Sequence, residues 1–270
     1  MLARIGSAHE VAFGSYFLGR GPVRDALAGA AQRGAHVAVT LQADPYRNSY
    51  GARANADTAR LLRTAGASVS LLARDTVPFH LKAAVCDGVA YLDDRNFTQR
   101  GPEIVVADDD PNDVALVQAA LAGRGGADAT LATRKDEAQR REVALVDGAR
   151  GVPVMLETER VGSSPLTAAL RRHARAGAPT TLIVGRAKQR SPRERATIAR
   201  LEADGVDVRR TGTNEKLALA GGAAWLGSGN ATGAFGRGAA QLEWGMDTRD
   251  PALVGAVRAA LERDAARSRP

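Results

Sequence analysis

The chain repeats itself at a fixed distance, and that repeat limits its fold more than any other feature. His80, Lys82, Asp87 and Asn96 return 134 positions later as Asn214, Lys216, Gly221 and Asn230, the last inside Gly227-Ser228-Gly229-Asn230. Further upstream the offset is 143: Pro22 and Gly34 bracket one apolar-periodic run, and Pro165 and Gly177 bracket its counterpart. The first half therefore carries nine more residues between that run and the motif. The tails agree as well, Ala107-to-Leu116 echoing Met246-to-Leu253. A period this long means two copies of one multi-element unit, each closing its own core.

Local patterning says what the unit contains. Residues 11–18 read as a buried strand, and Pro22 opens a helix to about Arg33 with Leu27, Ala30 and Ala31 on its apolar side. Gly34 ends that helix, and 36–41 alternates like a strand. A polar loop is expected over 42–55, a helix over 56–65 and a strand over 68–72. Strands at 80–86, 89–92 and 103–106 and a helix at 111–122 complete the first copy. The second copy runs through strands near 152–157, 181–184 and 206–209 with helices at 135–147, 165–176 and 192–203. Strands alternating with helices predict an α/β architecture. The expected division is 1–122 for the first repeat, 123–134 (GRGGADATLATR) as linker and 135–270 for the second.

With 44% hydrophobic and 25% charged residues, a 270-residue chain buries a core and is not disordered by composition. A formal net charge of +7 favours an anionic partner. Cys86 sits alone in an apolar run and reads as a small buried hydrophobe. The first ten residues lack the apolar core of a signal peptide, and no run reaches 18 apolar residues. The expectation is a cytoplasmic protein, with peripheral membrane contact compatible, either monomer or homodimer.

His80-x-Lys82, four residues, Asp87 and then Asn96, with Gly-Ser-x-Asn in the second copy, resembles the HxKxxxxD and GSxN signature of the phospholipase D superfamily. The resemblance implies two tandem α/β lobes related by pseudo-twofold symmetry, with both motifs at one shared cleft. It implies a phosphodiesterase or phosphatidyltransferase that works without cofactor or metal. His80 would form a phosphohistidine, with Lys82 and Asp87 as the other catalytic residues of its motif. Asn96, Lys216, Ser228 and Asn230 would hold the phosphate. The substrate would be an anionic phosphodiester, in a phospholipid headgroup or in nucleic acid. Three departures matter: Asn214 replaces the second histidine, Gly221 replaces the second Asp, and Asp93-Asp94 replaces the first Gly-Ser. Asn214 carries no proton to give near neutral pH, so the general acid is missing. Glu103 and Glu243 stand where a downstream glutamate would orient His80. The alternative reading is a pseudoenzyme that binds phosphate-containing ligands. Asp93 and Asp94 read as a turn, His36 and His173 as packing or surface residues, and Arg186 to Arg195 as a solvated basic loop and helix start.

Overall fold

A computed structural model describes residues 1–73, 75, 78–97, 104–186, 190–233 and 240–268. The chain divides into two compact units, Met1–Arg134 with Ala240–Trp244, and Lys135–Ala239 with Gly245–Pro270. The stretch read as a linker ends in a strand at Leu131–Arg134.

In the first unit the elements are α1 (Leu2–Ser7), β1 (Glu10–Ser15), α2 (Pro22–Gln32), β2 (His36–Gln42), α3 (Ser49–Thr64), β3 (Ser68–Leu72), β4 (Lys82–Cys86), β5 (Val89–Asp93), β6 (Val105–Asp108), α4 (Pro111–Leu121) and β7 (Leu131–Arg134). One sheet runs in the order β3-β2-β1-β4-β5-β6. Its first three strands are parallel, and β4, β5 and β6 each run antiparallel to the strand before. Phe13 of β1 joins a core with Ile5, Leu27, Leu41 and Leu62 from the helices and β2. Its neighbour Gly14 faces the opposite side, as alternation along a strand requires. A Cβ on Gly14 would lie 2.4 Å from Leu121 and 2.7 Å from the Phe79 ring. The missing side chain is what lets α4 and Phe79 close over β1.

The second unit contains α5 (Lys135–Gly148), β8 (Val154–Thr158), α6 (Pro165–Arg175), β9 (Thr180–Gly185), α7 (Pro192–Ala203), β10 (Asp207–Thr211), β11 (Leu217–Ala220), β12 (Ala223–Gly227), β13 (Leu242–Thr248) and α8 (Pro251–Arg267). The first three residues of β13 belong to the first unit. Six strands of a seven-stranded sheet, in the order β10-β9-β8-β11-β12-β13 with parallel β8, β9 and β10 and antiparallel β11 to β13, reproduce the order of the first sheet. Even the caps repeat: Asp110 before Pro111 and Asp250 before Pro251 each accept two backbone N–H groups that open the last helix of their copy.

Two of the boundaries that shift bear on the site. The helix expected from 56 begins at Ser49, because Asn48 caps it by accepting from Gly51 N at 2.7 Å. The strand expected over 80–86 begins at Lys82, so His80 precedes it. Cys86 is fully buried, and that burial pushes its thiol up to about 11, away from the reactive thiolate. His36 is exposed, whereas His173 is buried and bonded to Thr180 Oγ1 and Ala149 O. Among the described residues no helix is long and apolar enough to cross a membrane.

Candidate functional site

His80 is positioned by backbone pairing rather than by its own strand. Its N–H donates to Leu242 O at 2.9 Å, and Leu242 N donates to Pro78 O at 2.9 Å. That short parallel bridge lays Glu243 beside the imidazole, with Oε1 2.9 Å from Nδ1. Glu243 is 1% exposed, so the contact is sheltered from competing water. Gln241 Nε2 donates to the same carboxylate oxygen at 3.0 Å. Lys82, also 1% exposed, brings Nζ to 2.7 Å from Nδ1 and 3.0 Å from Nε2. A carboxylate accepting from Nδ1–H selects that tautomer and leaves the Nε2 lone pair to accept from the Lys82 ammonium. Of the two glutamates expected to orient His80, Glu243 lies against it, and Glu103 falls outside the described residues.

The rest of the first motif is not gathered there. Asp87 is exposed in the turn between β4 and β5, about 16 Å of strand away from Lys82. Its carboxylate accepts from Glu10 N at 2.9 Å and His9 N at 3.0 Å, and those backbone bonds hold it below the usual carboxylate range. Its φ is +46° and that of Gly88 is +79°, as a two-residue hairpin turn of the Asp-Gly kind demands. Gly221, at φ +58°, holds the matching position between β11 and β12. The expected catalytic Asp is therefore a turn residue here, and Gly221 satisfies the same backbone requirement by another route. Asp93 and Asp94 are fully buried, and Asp93 Oδ2 accepts from Phe97 N at 2.5 Å, closing the turn after β5. Asn96 lies in that turn, with Oδ1 buried and no hydrogen-bond partner among the described residues.

In the second unit Asn214 precedes β11, its Oδ1 lying 2.5 Å from where a Cβ on Gly185 would stand. Lys216 is 4% exposed and donates to Asn214 O at 2.6 Å, which leaves two of its three N–H donors for other partners. Ser228 is fully buried. Asn230 Oδ1 accepts from Arg160 N at 3.1 Å, and a backbone N–H can be met only by the amide oxygen, so its NH2 group turns the other way. Asn230 lines a cleft of about 770 Å³ with Arg160, Arg193, Arg200, Ser163 and Thr232. Glu194, 3% exposed at the cleft wall, is held by Arg160 at 2.8 Å and Arg190 at 2.6 Å. Among the described residues of the basic stretch Arg186 to Arg195, Arg190 pairs with Glu194, and Ser191 caps α7 by accepting from Glu194 N.

No family model and no curated protein matches the sequence. Solved structures do. A polyphosphate kinase from Porphyromonas gingivalis superposes with a TM-score of 0.69 at 17% identity, covering 98% of this chain and 47% of that one. A mutant of yeast tyrosyl-DNA phosphodiesterase gives 0.51 at 11% identity over 90% of this chain and 84% of the other. Nuc from Salmonella typhimurium, a phospholipase D family member, gives 0.45 at 11% identity over 52% and 94%. The fold is phospholipase-D-like. This chain spans about half the length of the polyphosphate kinase it resembles.

Within this phospholipase-D-like fold two polar residues stand out that the motif did not point to. Gln42, at the end of β2 and 2% exposed, donates from Nε2 to Leu72 O at 2.8 Å and to Asp44 Oδ1 at 3.2 Å. Its Oε1 accepts from Phe79 N at 2.9 Å, next to His80. Asn55 is fully buried; it donates to Gln42 O at 2.7 Å and Tyr16 O at 3.0 Å and accepts from Leu18 N at 2.9 Å. Together they tie the 16–18 and 42–44 loops to the His80 segment. A second cluster, Glu157, Glu215 and Asp264, is buried with carboxylate oxygens within 4.8 Å of one another. Arg263 bonds Glu215 and Asp264 and supplies positive charge at that spot.

Proposed function

We propose that this protein carries out phosphoryl transfer on a phosphodiester, with Nε2 of His80 as nucleophile. The observation that carries the reading is a single imidazole with a buried carboxylate 2.9 Å from Nδ1 and a buried ammonium 3.0 Å from Nε2. The Nε2 lone pair attacks phosphorus, a P–N bond forms, and the P–O bond to the leaving group breaks. Nδ1 keeps its proton against Glu243, which offsets the positive charge the ring acquires. Water or an alcohol then attacks phosphorus, the P–N bond breaks, and the incoming oxygen releases its proton to solvent. Lys82 hands its ammonium from the imidazole to a phosphate oxygen as the substrate enters. Lys216, Ser228, Asn230 and Asn96 are the residues this reading assigns to the remaining phosphate contacts; the NH2 of Asn230, not used when its Oδ1 accepts from Arg160 N, supports its share.

Asn214 gives the leaving oxygen no proton, so the reaction suits leaving groups that depart as stable anions. The same argument favours a second substrate, a phosphoanhydride, and the likeness to a polyphosphate kinase over 98% of the chain supports it. The test is turnover of bis(p-nitrophenyl) phosphate, whose leaving group needs no proton, by wild type, His80→Ala and Asn214→His, with a polyphosphate arm alongside. Turnover abolished in His80→Ala and raised in Asn214→His is the expected result. Turnover in Asn214→His alone identifies a natural pseudoenzyme with an intact phosphate pocket. Silence in every arm removes the catalytic reading.

A further inference from the structure

This is an aromatic-poor chain, with four tyrosines, five phenylalanines and two tryptophans in 270 residues. Three of the four tyrosines join a ring cluster that begins at His80. The Tyr16 ring lies 4.7 Å from the imidazole, Tyr46 crosses Tyr16 edge-on at 5.0 Å, Phe17 lies 5.6 Å from Tyr46, and Tyr50 stacks on Phe17 at 6.1 Å. The run leads outward from the buried ammonium of Lys82, which sits 5.9 Å over the Tyr16 ring, into solvent: Tyr46 is 51% exposed and Tyr50 is 72% exposed. Apolar burial does not account for rings left that far in water.

The platform is also held rigid. Tyr46 adopts φ +60°, a left-handed conformation that is strained for a bulky residue. Its N–H donates to the Tyr16 hydroxyl. Gly51 packs so tightly on Pro45 that a Cβ would lie 2.4 Å from Pro45 O, which holds the loop against α3. Asn55 pins the other side through Tyr16 O and Leu18 N. Strain kept by this much surrounding structure fits a recognition surface better than a loose loop.

We propose that Tyr16, Phe17, Tyr46 and Tyr50 form a stacking platform for a nucleobase whose attached phosphate lies at His80. The ligand of this site is then a nucleotide, free or within single-stranded nucleic acid. The inference rests on His80 as the phosphoryl site and adds the substrate class. Flat π faces bind bases of any sequence, and a net charge of +7 suits their phosphates. Among the described residues, the large exposed apolar side chains of the 42–50 segment are both rings, Tyr46 and Tyr50, and neither is aliphatic.

The test compares fluorescein-labelled dT12 with an abasic strand of equal length and charge, and AMP with ribose 5-phosphate, on wild type, Tyr50→Ala and Tyr46→Ala. Wild type binds the base-bearing ligand about 5- to 100-fold more tightly than its base-free partner, and Tyr50→Ala removes most of that ratio. A ratio confined to dT12 assigns a strand, and a ratio shared by AMP assigns a single nucleotide. Equal affinity for base-bearing and base-free ligands overturns the proposal, as does a ratio that survives both alanine variants. Tyr50-dependent binding to phosphatidylglycerol vesicles without any base preference assigns the platform to lipid and overturns it too. None of these readouts needs turnover. Loss of base preference with His80-dependent hydrolysis intact therefore sinks only the platform, and base preference without hydrolysis sinks only the catalytic assignment.

Discussion

Glu157 makes the sharpest test of the second unit, because its environment dictates a pH dependence that no catalytic assumption enters. It lies on β8 and is 1% exposed. Burial is the main cause that pushes its carboxyl up to about 8 from an ordinary 4.5, and the nearby charges of Glu215 and Asp264 add to it. The Thr213 hydroxyl, donating to Oε1 at 2.5 Å, and Glu215 N at 3.3 Å work in the other direction. Oε2 has no hydrogen-bond partner among the described residues, which makes it the natural seat of the proton. Between pH 4.5 and 8 the folded protein thus keeps a proton that the unfolded chain releases. A folded pKa raised in this way means stability fully present below 4.5 and lost as pH rises towards 8. The slope is about 1.4 kcal/mol per pH unit, or about 2 to 3 kcal/mol between pH 6 and 8. Glu157→Gln puts an amide where the protonated acid stood and removes the titration. Urea denaturation followed by Trp225 fluorescence in a Trp244→Phe background reads this unit, since Trp225 is 1% exposed on β12. The stability difference between Glu157→Gln and its parent should shift by about 2 kcal/mol in favour of the Gln variant from pH 6 to pH 8. Parallel curves across that range would refute the argument.

Two further outcomes follow from the first unit. Glu243→Gln keeps the size of the side chain but no longer fixes Nδ1–H, so turnover of bis(p-nitrophenyl) phosphate should fall by about 10²-fold and its pH profile should move, which a pH–rate series checks. Asp87→Asn should leave that turnover unchanged and lower the melting temperature, because its carboxylate serves Glu10 N and His9 N; the difference in melting temperature should shrink as pH falls and the wild-type carboxyl protonates.

What the sequence made legible was whatever repeats or punctuates. The offset of 134 between Lys82 and Lys216 pointed to a repeated unit, seen as a six-strand order common to both sheets, and the Pro and Gly bracketing α2 and α6 located both helices. What escaped was set by contacts distant along the chain. Gln42 and Asn55 looked like loop residues, and only the fold shows that their amides serve backbone groups at Leu72, Phe79, Tyr16 and Leu18. At Asp87 one residue type answers two demands that sequence alone does not separate: the motif asks for a carboxylate, and an Asp-Gly turn with φ above zero favours the same residue. The tyrosines were visible as letters, but Tyr16 is thirty residues from Tyr46 in sequence, and only the fold brings the end of β1 against the segment between β2 and α3.

The two lysines show how a repeated motif divides its labour. Both stand at the mouth of a central strand, buried and two residues after the motif's first position. Beside Lys82 that position carries an imidazole, so its ammonium meets a ring nitrogen and the pair has a proton to manage. Beside Lys216 it carries Asn214, and the ammonium turns to the Asn214 backbone carbonyl, a contact any residue would offer. An asparagine at that position leaves the lysine held, because the contact runs through a backbone carbonyl. Both copies keep a buried positive charge, and at Lys82 it meets an imidazole. That asymmetry is what makes Asn214→His informative: it adds an imidazole beside a lysine whose backbone contact does not depend on the side chain at 214.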